Sequence, residues 1–117
     1  MRKSLAVLAV SLLIAAPAHA TGGLLCRTGG SHPIEVGLVI GHTVASSIVS
    51  ARLRDGGAEV TVHIAHSWLD ANELRLDLVD SNAIRHELRL RAKRKRLTYD
   101  GSVWRGSNRR WIRCREG

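Results

Sequence analysis

The residues best suited to bind a partner lie close to the end of the chain. Every second residue of one stretch is an arginine or a tryptophan: Arg109, Trp111, Arg113 and Arg115. On a strand, such a spacing puts all four side chains on one face. Arginine forms bidentate hydrogen bonds to phosphate or carboxylate, and tryptophan offers a flat surface for stacking or cation–π contact. This arginine–tryptophan ladder therefore suits an anionic, planar or sugar-like partner. A solvated basic edge that discourages aggregation is the alternative interpretation, and the two are compatible.

A second group of basic residues precedes the ladder: Arg91, Lys93, Arg94, Lys95 and Arg96. Residues 91–117 hold ten Lys or Arg against two Asp or Glu, whereas residues 21–90 hold six against eight. The positive charge therefore belongs to the last quarter of the chain. We expect the two groups to provide one basic C-terminal surface that binds the partner.

Histidine and serine residues are the candidates for metal binding or catalysis. His63 and His66 are three apart, which on a continuous strand puts them on opposite faces, so we expect no shared metal ion. His66, Ser67 and Asp70 are close in sequence, but a catalytic triad is defined by spatial arrangement. The chain contains no Gly-x-Ser-x-Gly turn and no phosphate-binding glycine loop. We predict neither enzymatic activity nor a metal or other cofactor.

The first 20 residues are typical of a cleavable signal peptide. Arg2 and Lys3 are followed by 13 uncharged residues over 4–16, and the sequence Ala18-His19-Ala20 fits a signal-peptidase site. The apolar run is shorter than the about 20 residues that a transmembrane helix needs. We therefore expect a mature chain over 21–117 that forms a single small domain, carries no transmembrane segment, and resides in the periplasm or outside the cell.

Two cysteines, Cys26 and Cys114, remain after cleavage. In an oxidising compartment they are expected to form a disulfide that joins the two ends of the domain. A thiol nucleophile or a metal ligand is the alternative, but no Cys-x-x-Cys or Cys–His cluster accompanies either residue.

Apolar and polar residues alternate along most of the remaining chain, which is typical of antiparallel sheets with one buried face. We predict an all-β fold, a small antiparallel barrel or sandwich of seven or eight short strands. The turns are expected at Asp55-Gly56-Gly57, Asp80-Ser81-Asn82, Asp100-Gly101 and Gly106-Ser107-Asn108. Short helical turns over 43–51 and 67–74 are alternatives to strand.

The expected compartment narrows the choice of partner. A basic patch usually indicates nucleic acid, but an exported protein meets envelope polyanions instead. We therefore predict a non-enzymatic binding module for an anionic envelope component, such as lipopolysaccharide phosphate or acidic polysaccharide, or for an acidic protein, with no physiological nucleic-acid partner. A secreted hydrolase inhibitor and a structural or assembly protein of the periplasm are the alternatives.

The inhibitor alternative comes from a resemblance. The segments Tyr99-Asp100-Gly101 and Trp104-Arg105-Gly106, followed by Cys114, resemble the C-terminal strands of small exported bacterial inhibitors of C-type lysozyme. Those inhibitors are β-barrels of similar size with a cysteine near each end, and the resemblance implies the same architecture here. It covers about 16 residues and does not include the family's Ser-Gly-x-x-Tyr inhibitory loop. No residue role is therefore carried across.

Overall fold

The computed structural model describes residues 22–41 and 47–117 of the chain. The expected signal peptide lies outside the described residues, as does residue range 42–46, which contains part of the first alternative helical turn. Among the described residues, no helix has the length and hydrophobicity needed to cross a membrane.

The described residues form one curled, antiparallel sheet. Its spatial order is β4-β3-β2-β1-β9-β8-β7-β6-β5, and the curl brings β3 against β5. The nine strands are β1 (Gly22–Thr28), β2 (Ile34–Ile40), β3 (Ile48–Asp55), β4 (Ala58–Val60), β5 (His63–Leu69), β6 (Glu73–Val79), β7 (His86–Lys95), β8 (Thr98–Arg105) and β9 (Asn108–Glu116). The all-β prediction is confirmed, with a half-barrel as the architecture and slightly more strands than expected.

The inner face of the sheet forms an aliphatic core. Alternate residues of the strands point inward, as their spacing predicts: Leu24 and Cys26 of β1, Val36 and Leu38 of β2, Leu74, Leu76 and Leu78 of β6, Leu88 and Leu90 of β7, Val103 of β8, and Ile112 and Cys114 of β9. Burial of a leucine or valine side chain contributes about 1.5–3 kcal/mol, so this face supplies most of the driving force for folding. The outer face carries mostly polar and charged residues, with exposed tryptophans and a few exposed aliphatic residues such as Leu25.

The hairpin between β7 and β8 differs from the prediction. The prediction of a turn at Asp100-Gly101 is wrong, because β8 runs through both residues. The chain reverses at Arg96 and Leu97 instead. Gly101 faces Ala92 on β7, where a Cβ atom would collide with the backbone oxygen of Arg91. Glycine is therefore required here for close strand approach, not for a turn.

The predicted disulfide is present. Cys26 of β1 and Cys114 of β9 lie directly opposite each other and are fully buried. Their bond joins positions separated by 88 residues. It therefore fixes the last strand beside the first, in the centre of the sheet.

The second alternative helical turn does not form. Ser67 lies inside β5, which continues to Leu69. Asp70 instead closes the turn to β6, where its carboxylate accepts hydrogen bonds from the backbone N–H groups of Asn72 and Glu73. These bonds lower the pKa of Asp70, as does the hydrogen bond from the Trp68 indole.

Candidate anion-binding surface

The arginine–tryptophan ladder lies on the outer face of β9. Within this strand Ile112 and Cys114 are buried, whereas the exposed fraction of Trp111 is 56%. Arg109 lies opposite Trp104 of β8, Trp111 opposite Ser102, and Arg113 between Asp100 of β8 and Arg27 of β1. The ladder residues are therefore on one side of the sheet, with neighbours supplied by both adjacent strands.

An open hollow lies between β1 and β9. Its volume is ≈ 510 Å³, and the lining residues are Leu25, Arg27, Thr28, Gly29, Trp111, Arg113 and Arg115. We call it the β1–β9 hollow. Trp111 and Leu25 give it exposed apolar surface, and three guanidinium groups give it positive charge. This combination suits a ligand that has both an apolar face and an anionic group.

The arginines of the β1–β9 hollow differ in how firmly they are paired. Arg113 donates two hydrogen bonds to the Asp100 carboxylate, at 2.9 and 3.0 Å, and its guanidinium lies 5.0 Å from the centre of the Trp111 ring. The hydrogen bond from Arg113, more than any other contact, lowers the pKa of Asp100. Arg27 pairs with Glu35 at 2.9 Å. Within residues 22–41 and 47–117, Arg115 has no carboxylate at ion-pair distance, so its charge is available to a ligand.

A second hollow lies beside β7 and β8. It has a volume of ≈ 500 Å³ and is lined by His86, Leu88, Arg89, Arg91, Trp104 and Gly106. We call it the β7–β8 hollow. The Arg109 guanidinium lies 5.8 Å from the centre of the Trp104 ring, and its Nε donates a 3.0 Å hydrogen bond to Ser102 Oγ. Arg109, like Arg115, makes no ion pair with a carboxylate in the described part of the chain.

The basic group over 91–96 does not form a second ladder. Arg91 donates hydrogen bonds of 3.0 and 3.2 Å to the Asp77 carboxylate, and Lys93 lies 3.7 Å from Glu73. Arg94 instead contacts Tyr99, with its guanidinium 5.2 Å from the ring centre. The remaining two residues, Lys95 and Arg96, are exposed at the β7–β8 turn. The charge of this group is therefore partly neutralised and partly directed away from the ladder.

Asp77 is the most deeply placed carboxylate of the outer face, with an exposed fraction of 8%. Burial alone would raise its pKa, but hydrogen bonding and charge from Arg91, together with Arg89, outweigh burial and lower the pKa. Asp77 therefore stays ionised and holds both arginines at the wall of the β7–β8 hollow. On the neighbouring strand β5, His66 lies opposite Asp77.

The two histidines do not lie on opposite faces, as a continuous strand would place them. β5 contains a bulge between Ile64 and His66, so that His63 lies opposite Val79 and His66 opposite Asp77. Val79 and Asp77 are two residues apart on β6 and therefore share a face. The bulge thus puts both histidines on that same face. Even so, no group of three potential metal ligands occurs among the described residues.

Sequence reasoning missed the contributions of other strands to this surface. Leu25, Arg27, Arg89 and Trp104 line the two hollows but lie outside the predicted binding residues. One signal was present in the sequence. If Cys26 and Cys114 bridge adjacent antiparallel strands, Arg27 falls opposite Arg113 and Leu25 opposite Arg115, as the structure shows.

Comparisons with known proteins found no match for this chain. No protein-family model matches the chain, and neither a curated protein nor a solved structure is significantly similar to it.

Proposed function

We propose that the chain is an exported, non-enzymatic binding module that holds an anionic component of the bacterial envelope on the outer face of its sheet. The single observation that carries the proposal is the β1–β9 hollow, where exposed Trp111 and Leu25 lie among three arginines. The residues proposed to contact the ligand directly are Trp111 and Arg115, with Arg109 beside them.

Electrostatics favour an anionic ligand at this place. Arg109 and Arg115 have side chains that no carboxylate of the described chain neutralises, and desolvating an unpaired guanidinium is favourable only when an anion replaces the water. An acidic ligand supplies that anion and gains bidentate hydrogen bonds, which are stronger than those between neutral groups. Trp111 adds a stacking surface that a purely solubilising patch has no need to expose.

The expected location rests on two features. The N-terminal 20 residues have the pattern of a secretory signal, and the Cys26–Cys114 disulfide is typical of proteins from oxidising compartments. Both favour the periplasm or the extracellular space, where lipopolysaccharide and acidic polysaccharides are abundant polyanions.

A binding titration with a matched charge control tests the proposal. Affinity for lipopolysaccharide and for polygalacturonate is measured by isothermal titration calorimetry at several salt concentrations. The Arg109→Ala/Arg115→Ala variant is compared with Lys95→Ala/Arg96→Ala, which removes the same charge at the β7–β8 turn. We expect affinity for at least one polyanion to fall with salt, and to fall about tenfold or more in the ladder variant, because two charge-assisted hydrogen-bonding groups are lost.

The control variant is expected to bind within about twofold of the wild type, because Lys95 and Arg96 are exposed, line neither hollow, and act on a ligand only through charge that salt screens. Affinity that does not depend on salt, or an equal loss in the two variants, contradicts the proposal. Absence of binding to both polyanions contradicts it as well.

A further inference from the structure

The two hollows of the outer face are built alike. Each has one tryptophan in its wall, Trp111 in the β1–β9 hollow and Trp104 in the β7–β8 hollow, and each has at least two arginines. Arg89 and Arg91 of the β7–β8 hollow are paired with Asp77, so the guanidinium without a carboxylate partner at this hollow is that of Arg109, which lies over the Trp104 ring. Their volumes are nearly equal, and both fall within the usual range of small-molecule sites, about 300–1,000 Å³. Two similar hollows on one face indicate a ligand that offers the same group twice.

The position of the hollows defines the direction of such a ligand. One hollow lies beside β7 and β8 and the other between β9 and β1, so they are about two strand spacings apart across the sheet, roughly 10 Å. They are also offset along the strands, because Trp104 is level with Arg109 whereas Arg113 lies four residues further along β9, roughly 13 Å. Trp104 and Trp111 are diagonal neighbours on β8 and β9, because Trp111 lies opposite Ser102. A ligand that reaches both hollows therefore runs diagonally over the strands, past the Arg109 guanidinium that lies over the Trp104 ring.

We propose that the two hollows are subsites of one extended site for a linear acidic polysaccharide. This inference rests on the proposed function and names its ligand class. Sugar rings present apolar C–H faces that stack on tryptophan, and their carboxylates accept bidentate hydrogen bonds from arginine. Isolated phosphate groups use only the arginines, including Arg113 and Arg109 that lie over the two indole rings, whereas an acidic sugar ring contacts both a guanidinium and an indole, which favours a chain of acidic sugar rings over a phosphate cluster.

Arg109 links the two subsites. Its guanidinium is positioned by the Trp104 ring and by Ser102 Oγ, and no carboxylate of the described residues pairs with it. A carboxylate carried between two stacked sugars meets this guanidinium midway between the hollows. The two stacking positions and the central charge then act on one chain, so that the second contact forms at high effective concentration.

Oligogalacturonides of increasing length provide the test. Tryptophan fluorescence and calorimetry follow the binding of a disaccharide, a tetrasaccharide and a hexasaccharide at one fixed salt concentration. We expect affinity to rise by more than about tenfold once the oligomer reaches both hollows, because linked contacts gain avidity. In Trp104→Ala and Trp111→Ala, this rise should shrink to about threefold or less, while the disaccharide still binds to the remaining hollow.

Two further variants keep the test independent of folding defects. Trp68→Ala removes the third tryptophan, which has its own arginine partner, Arg75, at 5.7 Å but lies on the edge strand β5, outside both hollows. It should retain the full length dependence. Arg89→Gln changes the wall of the β7–β8 hollow without removing an aromatic ring, and it should weaken the hexasaccharide more than the disaccharide.

The outcomes separate this inference from the proposed function. If affinity grows only in proportion to oligomer length, the inference that the two hollows form one extended site is wrong. If Arg109 and Arg115 are still required for binding in that case, the anion-binding proposal remains intact. No binding of any polyanion overturns both. Tighter binding of a single-stranded oligothymidylate than of an oligogalacturonide with equal charge overturns the assignment to acidic polysaccharide.

Discussion

The two basic segments of the chain, 91–96 and 109–115, have similar composition but different surroundings. In segment 91–96, Arg91 and Lys93 are paired with carboxylates of β6, Arg94 contacts Tyr99, Lys95 is exposed at the end of β7, and Arg96 lies in the turn that follows. In segment 109–115, Arg113 and Arg115 line the β1–β9 hollow together with the exposed Trp111. Charge density is thus higher in the first segment, whereas the surface available to a ligand is larger in the second.

This difference has a physical origin in strand pairing. β7 lies beside β6, which presents Glu73 and Asp77 on the same face. β9 lies between β8 and β1, whose outward residues near the ladder include Trp104, Leu25 and Arg27, with Asp100 as the acidic neighbour that pairs with Arg113. The neighbouring strand therefore decides whether a basic residue stabilises the fold or is available to bind a ligand.

The largest expected effect comes from removing the covalent link that holds the second segment in place. The Cys26→Ala/Cys114→Ala variant should lose about 4–5 kcal/mol of unfolding free energy, because the bond closes a loop of nearly 90 residues in the unfolded chain. Urea denaturation of the oxidised wild type and the variant measures the loss. A difference below about 1 kcal/mol would contradict the idea that the disulfide restricts the unfolded state.

The second prediction concerns the ion pairs of the first segment. Asp77→Asn should reduce the unfolding free energy by about 2 kcal/mol, because hydrogen bonds between charged groups are replaced by weaker ones in a poorly hydrated place. Arg52, whose partner Glu59 lies at 3.0 Å, provides a control for an exposed pair. Arg52→Ala should change the free energy much less than Asp77→Asn does. Equal losses in chemical denaturation would show that burial of Asp77 is unimportant.

Acid should weaken the same contacts. The pKa values of Asp77 and Asp100 are lowered in the folded protein, so their contribution to stability is complete above the unfolded pKa and is lost as the pH falls through the folded pKa. We expect the urea midpoint to begin falling near pH 3.8, the ordinary value for aspartate, and to fall further below it. The decline should be shallower in an Asp77→Asn/Asp100→Asn variant, and an equally steep decline would assign acid sensitivity to other groups.

The sequence predicts some of these contacts and not others, for a physical reason. Alternation of apolar and polar residues follows from burial of one face, so it predicts the strands, the core and the outward direction of the ladder. The partners of each arginine depend on strand order and register over long separations. The bulge beside His66, the close approach at Gly101 and the pairing of Arg113 with Asp100 therefore could not be predicted from local pattern. The disulfide alone carried long-range information, through Cys26 and Cys114.

A smaller effect is expected at the β7–β8 turn. Arg96 has a positive φ of 60°, a conformation that favours glycine at the first position of a two-residue hairpin loop. Arg96→Gly should raise the unfolding free energy by about 0.5 kcal/mol, because relief of the left-handed conformation slightly exceeds the entropy that glycine loses on folding. Leu97→Gly, at the neighbouring turn position without a positive φ, is the control and should destabilise the protein. If both variants stabilise the protein, the gain in unfolding free energy comes from turn flexibility and not from the positive φ of Arg96.

The smallest expected effect tests the comparison of the two segments most directly. Asp100→Asn retains the shape of the side chain but frees Arg113 from its carboxylate partner. Affinity for polygalacturonate should therefore rise, by about twofold to threefold, because a partly exposed ion pair has only a modest energy. Glu73→Gln removes the same charge beside Lys93 in the first segment and should leave the affinity unchanged. Calorimetry at fixed salt distinguishes the two results. An equal rise in both variants would mean that the ligand responds to net charge alone, and the ladder would then have no advantage over the denser basic segment that precedes it.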